Sequence, residues 1–417
     1  MSLSKHKNVP SYDFPEEILC EVFKRLPVKY VLRCGAVQKS WYSLIKTPLF
    51  ISHYCNYRKL TGHIDPKYLL FHNLDNNSFA VRSDNKQCQE YCIFSFPLGL
   101  PASSWYVHSN GLICVSTMFD EEFDYNRSIY IWNPLVQKFK TVPESPLYTL
   151  TFMKATWNAL AFGFLPEIND YVVVHIIKFS SSSESLSFNS SDPSSPVKCE
   201  HYPHSVIIGV YSLNTNSWRK ICQDKGFVNL ICSSESVFVN GTAYWAGIDS
   251  SFQSVMCFDT NTNILRKIRV HNLFPDLDVM EYLIIPFGES IAYCIEGNEN
   301  NSEEDEEDYW SPHLHIWLLK DSVTVEDNKI GEFFWEMRVS LDQYVWAQVL
   351  GTRNNGDPIL AKSNSLIAYD LDTQEPYDFV ESYDRLTPSC YKEDSVSPFF
   401  IRPFAETLVL LDIDRNN

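Results

Sequence analysis

Residues suited to metal or covalent chemistry are few in this chain and poorly grouped. His201 and His204 stand three positions apart and His313 and His315 two apart, spacings that a metal ion accepts. Pro203 and Pro312 put both pairs in irregular backbone, and no full ligand set surrounds either, so they read as surface histidines. Gly288-Glu289-Ser290-Ile291-Ala292 has half of a nucleophile elbow, without the strand-turn-helix context that makes such a serine reactive. Phosphate-binding GxxxxGK and GxGxxG loops and the HExxH zinc helix are absent. The 12 cysteines include no CxxC pair, which excludes a zinc RING; they read as buried apolar thiols in a reducing compartment. The expectation is a chain with no catalytic residues, no metal and no cofactor.

What positions the informative residues is a short helical N-terminus. Asp13 reads as an N-cap, Pro15 as a first-turn residue and Glu16 as a capping-box carboxylate. Ile18, Leu19, Val22, Phe23 and Leu26 recur at helical spacing, and Pro27 stops that helix by withholding an N–H. A second helix carries Val31 and Leu32. A third carries Val37, Trp41, Leu44 and Ile45, and Pro48 ends it. Three such helices bury too little surface to stand alone, so they must pack on something else.

Phe14-Pro15-Glu16-Glu17-Ile18-Leu19, then Leu26-Pro27-Val28, then Val37-Gln38-Lys39-Ser40-Trp41 resemble an F-box in order and spacing. Phe14 stands where that family has Leu, and Tyr30 where it often has Ser. The resemblance implies that residues 13–58 dock a Skp-type adaptor, and through it a cullin and a RING subunit. The adaptor-binding residues it implies are Phe14, Pro15, Ile18, Leu19, Val22, Leu26, Pro27, Leu32, Val37, Trp41, Leu44 and Ile45, some facing the adaptor and some the helices' own core.

Beyond residue 60 the texture changes from helical to β. Trp132-Asn133-Pro134, Tyr211-Ser212-Leu213-Asn214, Phe258-Asp259-Thr260-Asn261 and Tyr369-Asp370-Leu371-Asp372 each follow an apolar run and precede another. They read as strand, Asx-type turn, strand. His315-Ile316-Trp317-Leu318 is a weaker copy. The copies recur about every 50 residues once a Ser-rich tract at 179–205 is set aside, a kelch-type propeller period. An acidic run at 299–308 reads as a second insertion. Six blades are expected, with seven also allowed by the period. The runs Phe399-Phe400-Ile401 and Leu408-Val409-Leu410-Leu411 are expected to close the ring on Tyr68-Leu69-Leu70-Phe71, so that loss of the C-terminus spares adaptor docking.

This part, with Ser109-Asn110-Gly111-Leu112, Val239-Asn240-Gly241-Thr242-Ala243-Tyr244-Trp245 and the closing residues 391–398, resembles the F-box-associated, kelch-like domain of plant F-box proteins. The expected fold class is α+β: a tail at 1–12, a three-helix F-box at 13–58 and an all-β propeller at 65–412.

The net charge is −18, of which residues 1–60 hold +6 and the remainder −24. A basic module is steered to an acidic partner, whereas an acidic body does not bind nucleic acid or anionic membrane. With no targeting segment in the sequence, cytoplasm or nucleus is expected. The resemblance implies the substrate-recognition subunit of an SCF-type ubiquitin ligase, with a target of the immune-receptor or stylar-ribonuclease class within the family's range. A propeller enzyme and an F-box scaffold with no role in degradation are the alternatives.

Overall fold

The computed structural model describes residues 14–60, 68–73, 77–99, 104–117, 128–147, 155–179, 206–223, 230–249, 252–270, 277–299, 313–321, 333–341, 347–362, 365–380 and 399–412. Asp13, residues 180–205, residues 300–308, His201, His204 and residues 391–398 lie outside them. The chain forms two compact units: residues 1–65, 133–140 and 406–417, and residues 66–132 with 141–405.

The described residues of the first unit form four helices, where three were expected: α1 (Glu16–Phe23), α2 (Val28–Val37), α3 (Lys39–Ile45) and α4 (Pro48–Leu60). Pro48 starts a helix instead of only ending one. Its missing N–H costs nothing in a first turn, and the Thr47 hydroxyl accepts the Phe50 N–H at 3.2 Å as the cap. Pro15 and Pro27 likewise precede α1 and α2, their carbonyls accepting the first helical N–H groups. The expected capping box is not formed, because Glu16 is the first helical residue and not the third. Val37 ends α2, and extended Gln38 separates it from α3.

The core of this unit joins Phe23, Val28, Val31, Leu44, Ile45, Phe50 and Tyr54 to Val136, Leu408 and Leu411. The Asn133 amide donates to the Thr407 and Val409 carbonyls at 2.9 and 2.8 Å. Arg58 pairs with Glu406, and both side chains are almost fully buried. Residues 408–411 were expected as a ring strand; they form turns, and their apolar side chains complete the helical core.

The second unit is built from four-stranded antiparallel blades. β1 (Tyr68–Asn73), β2 (Ser78–Ser83) and β3 (Glu90–Ser95) make three strands of the first. The second holds β4 (Trp105–Ser109), β5 (Leu112–Ser116), β6 (Ile129–Asn133) and β7 (Lys138–Thr141). The third holds β8 (Ala155–Leu165), β9 (Asp170–Phe179), β10 (Val206–Ser212) and β11 (Ser217–Gln223). The fourth holds β12 (Leu230–Val239), β13 (Thr242–Asp249), β14 (Phe252–Asp259) and β15 (Ile264–Arg269). The fifth holds β16 (Leu277–Phe287), β17 (Ser290–Glu299), β18 (His313–Asp321) and β19 (Phe333–Leu341). The sixth holds β20 (Ala347–Thr352), β21 (Pro358–Lys362), β22 (Ser365–Asp370) and β23 (Glu375–Val380). The innermost strand of the first blade is β24 (Phe399–Phe404), which lies between β20 and β1 and is antiparallel to β1 from Tyr68↔Phe404 to Asn73↔Phe399. The expected closure by residues 399–401 is therefore made, and six blades account for the described strands.

Asx chemistry sets the hairpins. Asn133 Oδ1 accepts the Leu135 and Val136 N–H groups at 3.1 and 3.4 Å, and Asp259 Oδ1 those of Asn261 and Thr262 at 2.8 and 3.3 Å. Asp370 Oδ1 accepts those of Asp372 and Thr373 at 2.8 and 3.0 Å. Ser212 Oγ takes this role for Thr215 at 3.1 Å. Four residues on from each, Gln137, Asn216, Asn263 and Gln374 adopt φ of +53°, +52°, +60° and +59°. Asn and Gln are tolerated there, and the turn's twist then matches that of the strands. Asn85 makes a further copy between β2 and β3, which the sequence reading missed.

Because strands alternate in direction, first-to-second and third-to-fourth connections leave one end of the ring. Most of them are such short turns. Second-to-third and blade-to-blade connections leave the other end. The strand ends that flank both the Ser-rich and the acidic tracts lie there.

Closure is reinforced by polar contacts. Asp84 accepts from Arg353 Nε at 2.7 Å and from the Asn354 backbone N–H at 3.0 Å. The Arg353 guanidinium also donates to Tyr377 at 2.8 Å and covers the Phe379 ring at 4.7 Å. Gly351, at φ +152°, pairs with Ile401 in parallel, and a Cβ there would lie 1.7 Å from the Ile401 carbonyl oxygen.

His72 on β1 is buried, stacked on Phe79 at 4.3 Å, and desolvation lowers its pKa to about 4. Between pH 6.5 and 4 the unfolded chain takes up a proton there that the folded chain refuses, so stability falls as pH falls. The expected loss is on the order of 3 kcal/mol at full protonation of the unfolded form. Urea melts at pH 7 and pH 4.5 should show a smaller pH difference for His72→Phe than for the unaltered chain. His108, lowered to about 3 chiefly by burial, keeps its share of the effect in both.

Candidate functional site

The F-box resemblance marked twelve residues for docking, and the fold sorts them by exposure. Ile18 and Val22, four residues apart, share one face of α1, and Phe14 stands just before the Pro15 cap. Phe14, Ile18 and Val22 are 58%, 50% and 49% exposed, and Val37 is 72% exposed. Pro15 is exposed too. Leu19, Leu26, Pro27, Leu32 and Trp41 are half-buried, and of these Leu19, Leu26, Leu32 and Trp41 pack against the helical core. Leu44 and Ile45 lie inside it. Tyr30, Tyr42 and Leu49 are exposed apolar residues that were not among the twelve. Their signal was a negative one: each falls off the apolar period of its helix.

Around this surface the charges are mixed: Glu16 and Glu17 are exposed in the first turn of α1, and basic groups lie on α2 and after α3. The Arg33 guanidinium lies 5.6 Å from the Tyr30 ring centre and the Lys46 ammonium 5.4 Å from that of Tyr42. Lys24 and then Arg25, by hydrogen bonding, hold the Glu21 carboxyl below its ordinary value. A solvent-exposed acid so paired adds little stability. A unit whose core is already filled yet exposes five large apolar side chains on α1, α2 and the residues before them has surface suited to desolvation by a partner.

The ring offers a different kind of surface. An open depression of about 280 Å³ lies among β12, β13, β16, β17, β18, β20 and β24, with Arg402, Glu296 and Gln348 in its walls. Its lining residues sit near the starts of β18, β20 and β24 and the end of β17, toward the end of the ring with the long connections. Gly288 and Glu289 form the β16–β17 hairpin turn, and the Ser290 hydroxyl donates to the Leu319 carbonyl at 2.9 Å. Among the described residues no group of three or more His, Cys, Asp or Glu is placed to hold a metal, and no helix is long and apolar enough to cross a membrane. Cys88, Cys114, Cys257 and Cys294 are buried, and burial pushes the Cys88 and Cys294 thiols up to about 11 and 12, far from reactive thiolates.

Comparison with known proteins agrees with this division. Residues 12–53 match the F-box domain model and residues 67–373 the F-box associated beta propeller domain model. The F-box protein At1g47340 of Arabidopsis thaliana is 22% identical over 405 residues, 91% of this chain and 75% of that protein. F-box protein At3g16210 of Arabidopsis thaliana is 25% identical over 258 residues, 61% of this chain and 59% of its own length. The match therefore spans about three fifths of the latter relative. Among solved structures, the Dos1 propeller aligns over 75% of this chain and 67% of its own, with 12% identity and a TM-score of 0.32. The blade count rests on strand pairing and not on that superposition. With both domain models matched in order over most of its length, the chain belongs to the F-box proteins that carry an F-box associated beta propeller domain.

Proposed function

We propose that this protein is the substrate-recognition subunit of an SCF-type cullin-RING ubiquitin ligase, non-catalytic in itself. The F-box helices dock a Skp-type adaptor, and the propeller holds a target protein. The observation that carries this reading is the exposed face of Ile18 and Val22, with Phe14 just before it, above a filled core. Exposed apolar side chains on a basic helical unit suit an acidic partner with an apolar groove. The target then gains effective concentration beside the charged conjugating enzyme, so the receptor needs no chemistry of its own. Cytoplasm or nucleus is the proposed compartment.

The test substitutes residues that are exposed, since half-buried Leu19 and Leu26 support the fold as well. Ile18→Asp with Val22→Asp is expected to weaken capture of a recombinant Skp-type adaptor by ~100-fold, as for loss of two interface anchors. Circular dichroism should be unchanged. Undiminished capture by this folded double variant would exclude docking through that face.

A further inference from the structure

The ring depression brings a guanidinium, a carboxylate, a hydroxyl and an apolar wall together. Arg402 is held in its wall by donation from Nη1 to the Leu350 and Ile401 carbonyls, each at 3.2 Å, and the Phe400 ring lies 5.7 Å away. A guanidinium fixed on an inner strand has little rotamer freedom left to lose on binding, which favours a planar anion. Glu296 shares the wall, so a ligand with a second negative charge is disfavoured and one with an adjacent N–H donor is favoured. The Ser236 hydroxyl, also lining the depression, is buried and lacks a hydrogen-bond partner. Such a group costs stability unless something supplies its partner. Leu283 and Ile284 provide apolar wall beside them.

We infer that this depression receives the free C-terminus of a captured protein: its carboxylate on Arg402, its last peptide N–H toward Glu296, and an apolar final side chain against Leu283 and Ile284. A chain end meets all three demands at once. An internal acidic side chain brings a carboxylate but must also carry chain across the mouth in both directions. At about 280 Å³ the space suits the last residues of a chain and not a folded element. This inference deepens the receptor reading by naming what is recognised, and its test does not involve the adaptor.

The test uses the full chain and fluorescence anisotropy with N-terminally labelled hexapeptide pools, each pool fixed at one apolar or aromatic last residue. Free-acid pools are expected to bind at least ~10-fold tighter than the same pools C-amidated, the ratio for one charge-assisted hydrogen-bonded pair. Arg402→Gln should erase that ratio, and Arg402→Lys should restore part of it. If Arg402→Gln does not fold, the acid-to-amide ratio on the unaltered chain decides alone. Equal binding of acid and amide pools, or no binding of either, overturns the inference. So does equal binding by amidated pools with an internal Asp or Glu, which would assign the carboxylate to a side chain. In each of those cases adaptor capture by the helical unit is untouched, so the receptor reading is judged separately.

Discussion

Ending the chain after Pro398 is expected to abolish both target-domain structure and adaptor capture. The ring loses β24, the strand between β1 and β20. The helical unit loses Leu408 and Leu411 from its core, and Arg58 loses Glu406. Each leucine is worth about 2–5 kcal/mol in a core. A buried arginine left without its partner costs about 3–5 kcal/mol more. A four-helix unit of this size has no such reserve. A chain ending after Phe404 separates the effects: it keeps β24 and its ladder, and loses only the helical core segment. Its β-type circular dichroism should persist while adaptor capture falls by at least ~10-fold. Full adaptor capture by either truncated chain would show that residues 406–411 are dispensable to the helices. The sequence alone suggested the opposite, that docking survives without the C-terminus.

Gly351→Ala is the point change expected to harm the ring most. The new Cβ would sit 1.7 Å from the Ile401 carbonyl oxygen, which is backbone and cannot rotate away. The φ of +152° is strained for any side chain. Overpacking and backbone strain together are expected to cost about 3–5 kcal/mol. At about 2–4 °C per kcal/mol for a large domain, the melting temperature should fall by roughly 10 °C. Differential scanning calorimetry of the full chain measures it. A shift below about 2 °C would mean that β20 and β24 part easily, and that the parallel pairing does not hold the ring.

The repeat was legible because each copy follows an apolar run with a turn rich in Asn, Asp or Ser, whose side-chain oxygen sets the turn. The copy at Asn85 escaped notice because its loop is longer and no aromatic-Asn or aromatic-Asp step announces it. Ring closure by Phe399-Phe400-Ile401 was legible for the same reason as any strand: β-prone residues flanked by breakers. Leu408-Val409-Leu410-Leu411 was not, because four apolar residues serve equally as a strand or as turns filling a hole, and only the fold shows the hole. Pro48 was read as a stop because proline ends helices and also begins them, and the choice lay with Thr47 before it. Among the twelve candidate docking residues, periodicity separated apolar from polar positions. It had no means to tell the apolar face that neighbours cover from the one left open, since both look alike along the chain.

The pairing of β1 with β24 and the packing of Phe50 and Tyr54 beside Leu408 have a consequence for synthesis. Both structures join segments before residue 75 to segments after residue 398, so neither can form until everything between them has been made. At about 5–20 residues per second, on the order of half a minute passes between the emergence of the helices and that of their missing core residues. Closure across so long a separation is also slow once the chain is free. Throughout that interval the exposed face of α1 and an open strand edge are together available to chaperones, and an interrupted translation product is left with neither a closed ring nor a complete helical core.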